Sequence, residues 1–243
     1  GRVDTRNAGM SEAQRDEVIP RGAWQFDQEV TAVFDDMLQR SIPQYNAMRM
    51  VTFEVGRRFV QPGTAIIDMG CSRGQALLPF VSNFGAANDY IGLEISEPMI
   101  EAARENFAYH QHGDRVIIQS ADLRHEFPGV TSSLVLSVLT LQFTPIEYRQ
   151  QIIRRVFESL APGGAFILVE KVLGATAKLD EAFVNLFLQI KRENGYSESQ
   201  IDRKRMSLEG VLVPVTARWN EELLNQEGFT SVDCFWRHLN FAG

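Results

Sequence analysis

Thr64-Ala65-Ile66-Ile67-Asp68-Met69-Gly70-Cys71-Ser72-Arg73-Gly74 runs from a β-rich apolar stretch into a glycine-rich turn, and the apolar run Ala76-Leu77-Leu78-Pro79-Phe80-Val81 follows it. The pattern reads as a buried strand, a tight turn and a helix start. Glycines in such a turn let a ligand lie against bare backbone. The spacing is not the G-x-G-x-x-G of a dinucleotide-binding turn. Asp68, at the strand end, repels a pyrophosphate and favours a cationic ligand or an α-ammonium group.

Working outward, further strands follow in order. Tyr90–Glu94 ends in an acid about 20 residues past the turn, where a carboxylate typically takes the ribose hydroxyls of a nucleoside. Arg115–Gln119 leads into Ala121-Asp122-Leu123, where an acid can accept from an adenine amino group. Ser133–Val138 and Ala165–Glu170 are the fourth and fifth strands, and Leu160-Ala161-Pro162-Gly163-Gly164 is a helix stop and turn before the fifth. Amphipathic helices over Pro98–Phe107 and Tyr148–Leu160 lie between them. Alternating strand and helix predicts an α/β fold with a mostly parallel, doubly wound sheet. Ligands of such sheets bind at the carboxyl ends of the strands, where Asp68, Glu94 and Asp122 stand. A ligand with a sulfonium, an amino acid group and a nucleoside but no phosphate matches these acids, and S-adenosyl-L-methionine (SAM) has that composition.

With these motifs in place, the chain resembles class I SAM-dependent methyltransferases of Rossmann-like fold. The residues that carry this are Asp68-x-Gly70-Cys71-Ser72-x-Gly74, Glu94-Ile95-Ser96-x-Pro98-Met99-Ile100, Leu139-Thr140-Leu141-Gln142-Phe143 and Pro162-Gly163-Gly164. More narrowly, from about Trp24 to Phe241, it is similar to the carboxy-SAM synthase family, which supplies the carboxymethyl donor for wobble-uridine modification of tRNA. Trp24-Gln25-Phe26-Asp27, Gln39-Arg40-Ser41-Ile42-Pro43 with Tyr45, and Lys191 to Ser197 belong to that narrower pattern. The resemblance implies SAM contacts at Tyr45, Gly70-Cys71-Ser72, Glu94 with Ile95, and Asp122 with Leu123. It places Val138 where the family carries an Asn, and Leu223 where it carries the Arg that holds the extra carboxylate of carboxy-SAM. A leucine cannot grip a carboxylate bidentately as a guanidinium does.

The chain of 243 residues is long enough for one large domain with a buried core. A net charge of −7 argues against general nucleic-acid binding, which needs basic patches. No apolar stretch is long enough to span a membrane, and no signal-peptide pattern opens the chain. Two cysteines, Cys71 and Cys234, make no disulfide framework and fit a cytoplasmic, reducing compartment. The four histidines lack metal-ligand spacing, so no metal is expected.

Residues 1–20 read as a flexible tail and residues 21–243 as a single SAM-binding domain. Val30, Val33, Phe34, Met37 and Leu38 share the face of a helix ended by Pro43, and Met48, Val51, Val55 and Phe59 mark a second one. Such N-terminal helices cover the donor pocket in methyltransferases of this type. An insertion over about 172–218 is expected to form a helical cap. Its stripe of Leu179, Phe183, Leu186, Phe187 and Ile190 suits a lid or a homodimer contact. Gly195 stops that helix, and Ser197 to Gln200 resembles a capping box for the next. Arg203-Lys204-Arg205 reads as a solvated face that can alternatively receive an anionic substrate. After Gly228-Phe229, the family's seventh strand is expected to be cut short or missing.

Asp68, Gly74 and Val138 complete the expected donor site. Tyr45, Gln142, Glu170 and Arg205 are the candidates to face the transferred carbon. Three readings are open: methyl transfer from SAM to a small-molecule acceptor, anionic in one version; carboxy-SAM synthesis from SAM and prephenate; and SAM binding without turnover. The first is preferred because of Leu223 and Val138.

Overall fold

The computed structural model describes residues 14–243. Ile66 and Ile67 are both fully buried, on opposite faces of the central strand β1 (Ala65–Met69). Ile66 packs with Met48, Phe80, Ile100 and Leu134, whereas Ile67 packs with Val135, Ile152, Ile153 and Val156. A strand whose successive side chains are all buried needs helices on both faces, which is the doubly wound arrangement. Parallel pairing joins β1 to β2 (Asp89–Glu94) on one side and β4 (Ser132–Val138) on the other. β3 (Val116–Ser120) lies outside β2, and β5 (Leu160–Leu173) outside β4. The order reverses at β1, so the connections after β1 and β4 leave toward opposite faces, to α3 (Leu78–Phe84) and to α5 (Ile146–Ser159), and open a crevice at the carboxyl ends of the two paired strands.

One face carries α2 (Tyr45–Gly56), α3 (Leu78–Phe84) and α4 (Glu97–Ala108), through Met48, Phe80 and Ile100. The other carries α5 (Ile146–Ser159) and α8 (Ala217–Gln226), through Ile152, Val156 and Leu223. Helix α1 (Gln28–Ser41) starts where the Asp27 carboxylate accepts from the Val30 N–H, and packs Val30, Phe34 and Met37 around Trp24 and Met99.

After β5 come α6 (Ala177–Glu193) and α7 (Glu198–Leu208). Gly195, at φ +91°, turns the chain between them. Ser197 and Gln200 form a reciprocal capping box at α7, as their spacing suggests. Of the apolar stripe on α6 only Phe187 is buried, while Leu179 and Leu186 face outward.

Two expectations change, for the 160–164 turn and for the N-terminal tail. The turn is absorbed into β5 as an irregularity: Leu160 pairs with Ser132, and Ala165 pairs next with Leu134. The seventh-strand position is cut short, as expected, to the two-residue strands β7 (Arg237–His238) and β8 (Phe241–Ala242), and β8 runs antiparallel to β5 at Glu170 and Lys171. The two-residue β6 (Val215–Thr216) pairs the end of β5 on its own. Of the tail expected over 1–20, residues 1–13 lie outside the described residues, but Asp16 is buried, and Arg40 donates to its carbonyl. Among the described residues no helix is long and apolar enough to cross a membrane.

Gly56, at the end of α2, sets how closely that helix approaches the sheet. A Cβ there would stand 2.9 Å from Phe80 and 3.1 Å from Leu134. Gly56→Val is expected to cost about 1–3 kcal/mol through overpacking, read as a lower denaturant midpoint. An unchanged midpoint would show that this helix is not seated as described.

Candidate functional site

The crevice at the ends of β1 and β4 deepens into a cavity of about 1010 Å³. Its floor is built by the turn after β1. Gly70 takes φ +65° and Ser72 φ +49°. A Cβ on Gly70 would meet Thr140 at 2.3 Å, so the glycine lets the β1 and β4 loops touch, and the Thr140 hydroxyl donates to the Gly70 carbonyl. Gly74 does not reach the cavity. Its bare Cα makes room for Phe107, so its role is packing and the donor-site expectation for it is corrected.

Glu94, at the end of β2, lines the cavity and orders the turn. One carboxylate oxygen accepts from the Ser72 N–H at 3.0 Å, and the other from the Ile95 and Ser96 N–H groups at 2.8 and 3.1 Å. The carboxylate keeps acceptor capacity beyond these three bonds and lines the cavity, so it is able to accept from a ribose hydroxyl. Asp68 is fully enclosed, and its Oδ1 has no partner among the described residues. Burial raises its pKa to about 7, with Arg49 pulling it down and Glu94 pushing it up. Tyr45 opens α2, and Arg49, one turn on, stacks 5.6 Å from its ring. Burial also raises the Tyr45 phenol, which stays protonated and able to donate.

This end of the cavity fits the amino acid head of SAM. Asp68 offers an unpaired acceptor for the α-ammonium and Arg49 a cation for the carboxylate. Cys71, Ile95, Leu123 and Val138 supply apolar wall beside it. The Cys71 thiol is raised well above its usual pKa by burial, which leaves it a small packing residue. Asp122 lies on the wall too, but its carboxylate is gripped by Arg124 through Nε–Oδ1 at 3.0 Å and Nη2–Oδ2 at 2.7 Å. That pairing holds its pKa low, so the wall offers an ion pair there instead of the free acid expected for an adenine amino group.

The candidates for the transferred carbon separate. Tyr45, Gln142 and Arg205 line the cavity. Gln142 is fixed: its Oε1 accepts from the Lys171 N–H at 2.7 Å, and its carbonyl accepts from Arg149 and Val213. Glu170 does not face the cavity. It sits behind Gln142, accepts from that residue's N–H, and is pushed up to about 8 by burial. Its expected catalytic placement is therefore corrected: the alternation of β5 turns it into the protein, toward Arg149. Arg205 stands at the rim, near Asp202 at 3.6 Å.

Leu223 is the largest correction. It is buried with Ile152 and Val156 under α8, on the sheet face that packs α5, and does not line the cavity. No carboxylate bound in the cavity meets it. Residue-by-residue reading missed Arg49, Lys171 and Lys191 and under-read Lys204, all of which line the cavity. The signals in the sequence were the i, i+4 spacing of Arg49 from Tyr45, the place of Lys191 in the narrower family pattern and that of Lys204 in the basic cluster.

Comparison with known proteins agrees with this geometry. Residues 66–164 match the model of a methyltransferase domain. The carboxy-S-adenosyl-L-methionine synthase of Methylococcus capsulatus is 37% identical over 219 residues, covering 90% of each chain. That of Shewanella amazonensis is 37% identical over 223 residues, covering 91% of each. The fold is similar to Haemonchus contortus phosphoethanolamine N-methyltransferase 2 in complex with SAM, with a TM-score of 0.60 at 17% identity over 85% of this chain and 43% of that one. It is also similar to PigF with SAH, with a TM-score of 0.57 at 15% identity over 89% of this chain and 58% of that one.

Glu94→Ala is expected to weaken SAM binding by ~1.5–3 kcal/mol, because charge-assisted hydrogen bonds to the ribose and the ordering of the Ser72 turn are lost together. Calorimetry is the check, and an unchanged affinity would remove Glu94 from the ribose site.

Proposed function

The chain belongs to the carboxy-SAM synthase family, which has the class I SAM-dependent methyltransferase fold, and from that membership we propose that it makes carboxy-SAM from SAM and an unsaturated dicarboxylate such as prephenate. The observation that carries this reading over simple methyl transfer is the placement of two residues. Leu223, which argued against a carboxylate, is a core residue outside the cavity, and Arg205, a guanidinium able to meet one, is on the cavity wall. When bound, SAM would supply a methyl carbon whose protons the adjacent sulfonium acidifies; the dicarboxylate would give its ring carboxyl group to that carbon and lose its ring hydroxyl group, which leaves as water with the displaced proton.

The chain's own residues then hold and shield. Asp68 and Arg49 fix the amino acid head, and Glu94 fixes the ribose, so the methyl carbon points along the cavity. Arg205 orients the incoming carboxylate by charge and planar hydrogen bonding. Trp24, Phe26 and Phe143 on the cavity wall exclude water from the reacting carbon. Incubation with SAM and prephenate is expected to yield carboxy-SAM and phenylpyruvate at turnover by mass spectrometry, and Arg205→Met to lower kcat/KM for prephenate by about 10–100-fold. No carboxy-SAM, with methyl transfer to a small anionic acceptor instead, would overturn the proposal. Val138 favours that second reading, because it lines the cavity where the family carries an Asn.

A second copy of the chain is the partner proposed for α6, whose outer face exposes Leu179 and Leu186. Light scattering above micromolar concentration is expected to show a dimer. A monodisperse monomer would remove it.

A further inference from the structure

Three lysines line the cavity around Phe187 and Trp24. Lys171 comes from β5, Lys191 from the last turn of α6 and Lys204 from α7. Lys191 is buried at 6% exposure. Lys171 and Lys204 are partly exposed as residues, but their ammonium groups lie in the protein interior. Ammonium groups in such places are ordinarily paired with carboxylates. Here none of the three makes an ion pair with a described residue.

Aromatic faces hold them instead, and Lys204 also donates to the Ser41 hydroxyl at 3.5 Å. The Nζ atoms of Lys171 and Lys191 lie 4.8 and 5.4 Å from the centroid of the same Phe187 ring. Lys191 is also 5.5 Å from the Tyr196 ring, and Lys204 is 5.2 Å from the Trp24 ring. A ring face offsets part of the lost hydration but supplies no countercharge. The nearby acids, Asp16 and Asp180, act on the lysines from a distance without pairing with them. Asp16 already accepts from the Tyr196 hydroxyl and the Val18 N–H, and Asp180 accepts from the Gly174 N–H. Arg40, over the outer side of Tyr196, is paired with Asp36 at 3.0 Å and adds no unmatched charge. The cavity thus gathers three amine-bearing side chains, none of them ion-paired with a described carboxylate, at which an anion can supply the missing countercharge with net gain.

We propose that Lys171, Lys191 and Lys204 form a subsite for a second carboxylate, so that the cavity selects a dianionic co-substrate over a monoanionic one. This rests on the carboxy-SAM reading only for the identity of the dianion. Arg205 at the rim takes one carboxylate, and the lysine cluster takes the other. The empty cluster is not fully protonated. Burial first, then Lys204 and Lys171, pull the Lys191 pKa down to about 6 against a weaker upward pull from Asp16. Burial pulls Lys204 to about 8, with Asp16 opposing and Lys171 reinforcing it. A bound carboxylate restores the missing charge partner and raises both values, so binding takes up protons at neutral pH.

The test is isothermal titration of the full chain, saturated with SAM, with prephenate as the dianion and phenylpyruvate as the monoanion. Prephenate is expected to bind at least about tenfold more tightly. Lys191→Met and Lys204→Met are expected each to weaken prephenate binding by about 10–100-fold, leaving phenylpyruvate and SAM affinities within about twofold. These neutral, length-matched changes relieve buried charge, so the variants should melt no lower than wild type. A readout needing no variant is the proton uptake on binding prephenate at pH 7.5, from titrations in two buffers of different ionisation enthalpy. Net uptake is expected. Equal affinity for the two anions, unchanged prephenate affinity in both variants, or no proton uptake would each overturn the subsite. Carboxy-SAM formation is scored separately: dianion binding that depends on the lysines without turnover would keep the subsite and remove the proposed reaction, and turnover indifferent to the lysines would do the reverse.

Discussion

Burial of β1 on both faces is the constraint from which the rest follows. All five of its residues are enclosed, with Ile66 and Met69 fully so. Such a strand can sit only at the middle of a sheet, with neighbours that carry their helices to opposite sides. The chain must then part where β1 and β4 end, and that parting is the cavity mouth. Asp68 belongs to this strand, so the same burial that builds the sheet holds an unpaired carboxyl oxygen at the cavity floor. Gly70 follows because no Cβ fits beneath Thr140.

The cavity is electrically lopsided. Asp68 and Glu94 line the cavity from β1 and β2, with Arg49 from α2, whereas Lys171, Lys191, Lys204 and Arg205 come from β5 and the helices after it. A cation and an anion drawn to different walls of one cavity are brought together, which is what a transfer between them needs. The enclosure also strengthens each attraction, since water is not there to screen it. The insertion after β5 is what supplies the lysine-bearing wall, because α6 and α7 bring Lys191 and Lys204 to a sheet that otherwise carries only Lys171.

Much of this was legible in the sequence. The strands were visible as short β-branched runs ending in acids, because a buried parallel sheet leaves that imprint locally. The turn at Gly70 and the capping box at Ser197 were equally local. What escaped depends on distant partners. Arg203-Lys204-Arg205 looked like a solvated face, yet the helix turn sends Lys204 inward, to within 5.2 Å of the Trp24 ring centroid. Glu170 looked available, but strand alternation points it at Arg149 and Gln142. Leu223 was matched by position along the chain to a residue that reads a carboxylate, and only the packing of α8 shows that it faces Ile152 and Val156. Asp16 fell in a polar stretch without periodicity, and its burial against Tyr196 is a contact 180 residues away.

The central claim is that the cavity joins a sulfonium donor to a carboxylate at the carbon between them. The most direct measurement is the mass of the nucleoside that stays bound to the protein when it is isolated from a cell that makes prephenate, released by acid and identified by mass spectrometry. The account predicts carboxy-SAM. Recovery of SAM with its demethylated product, and no carboxy-SAM, would contradict it.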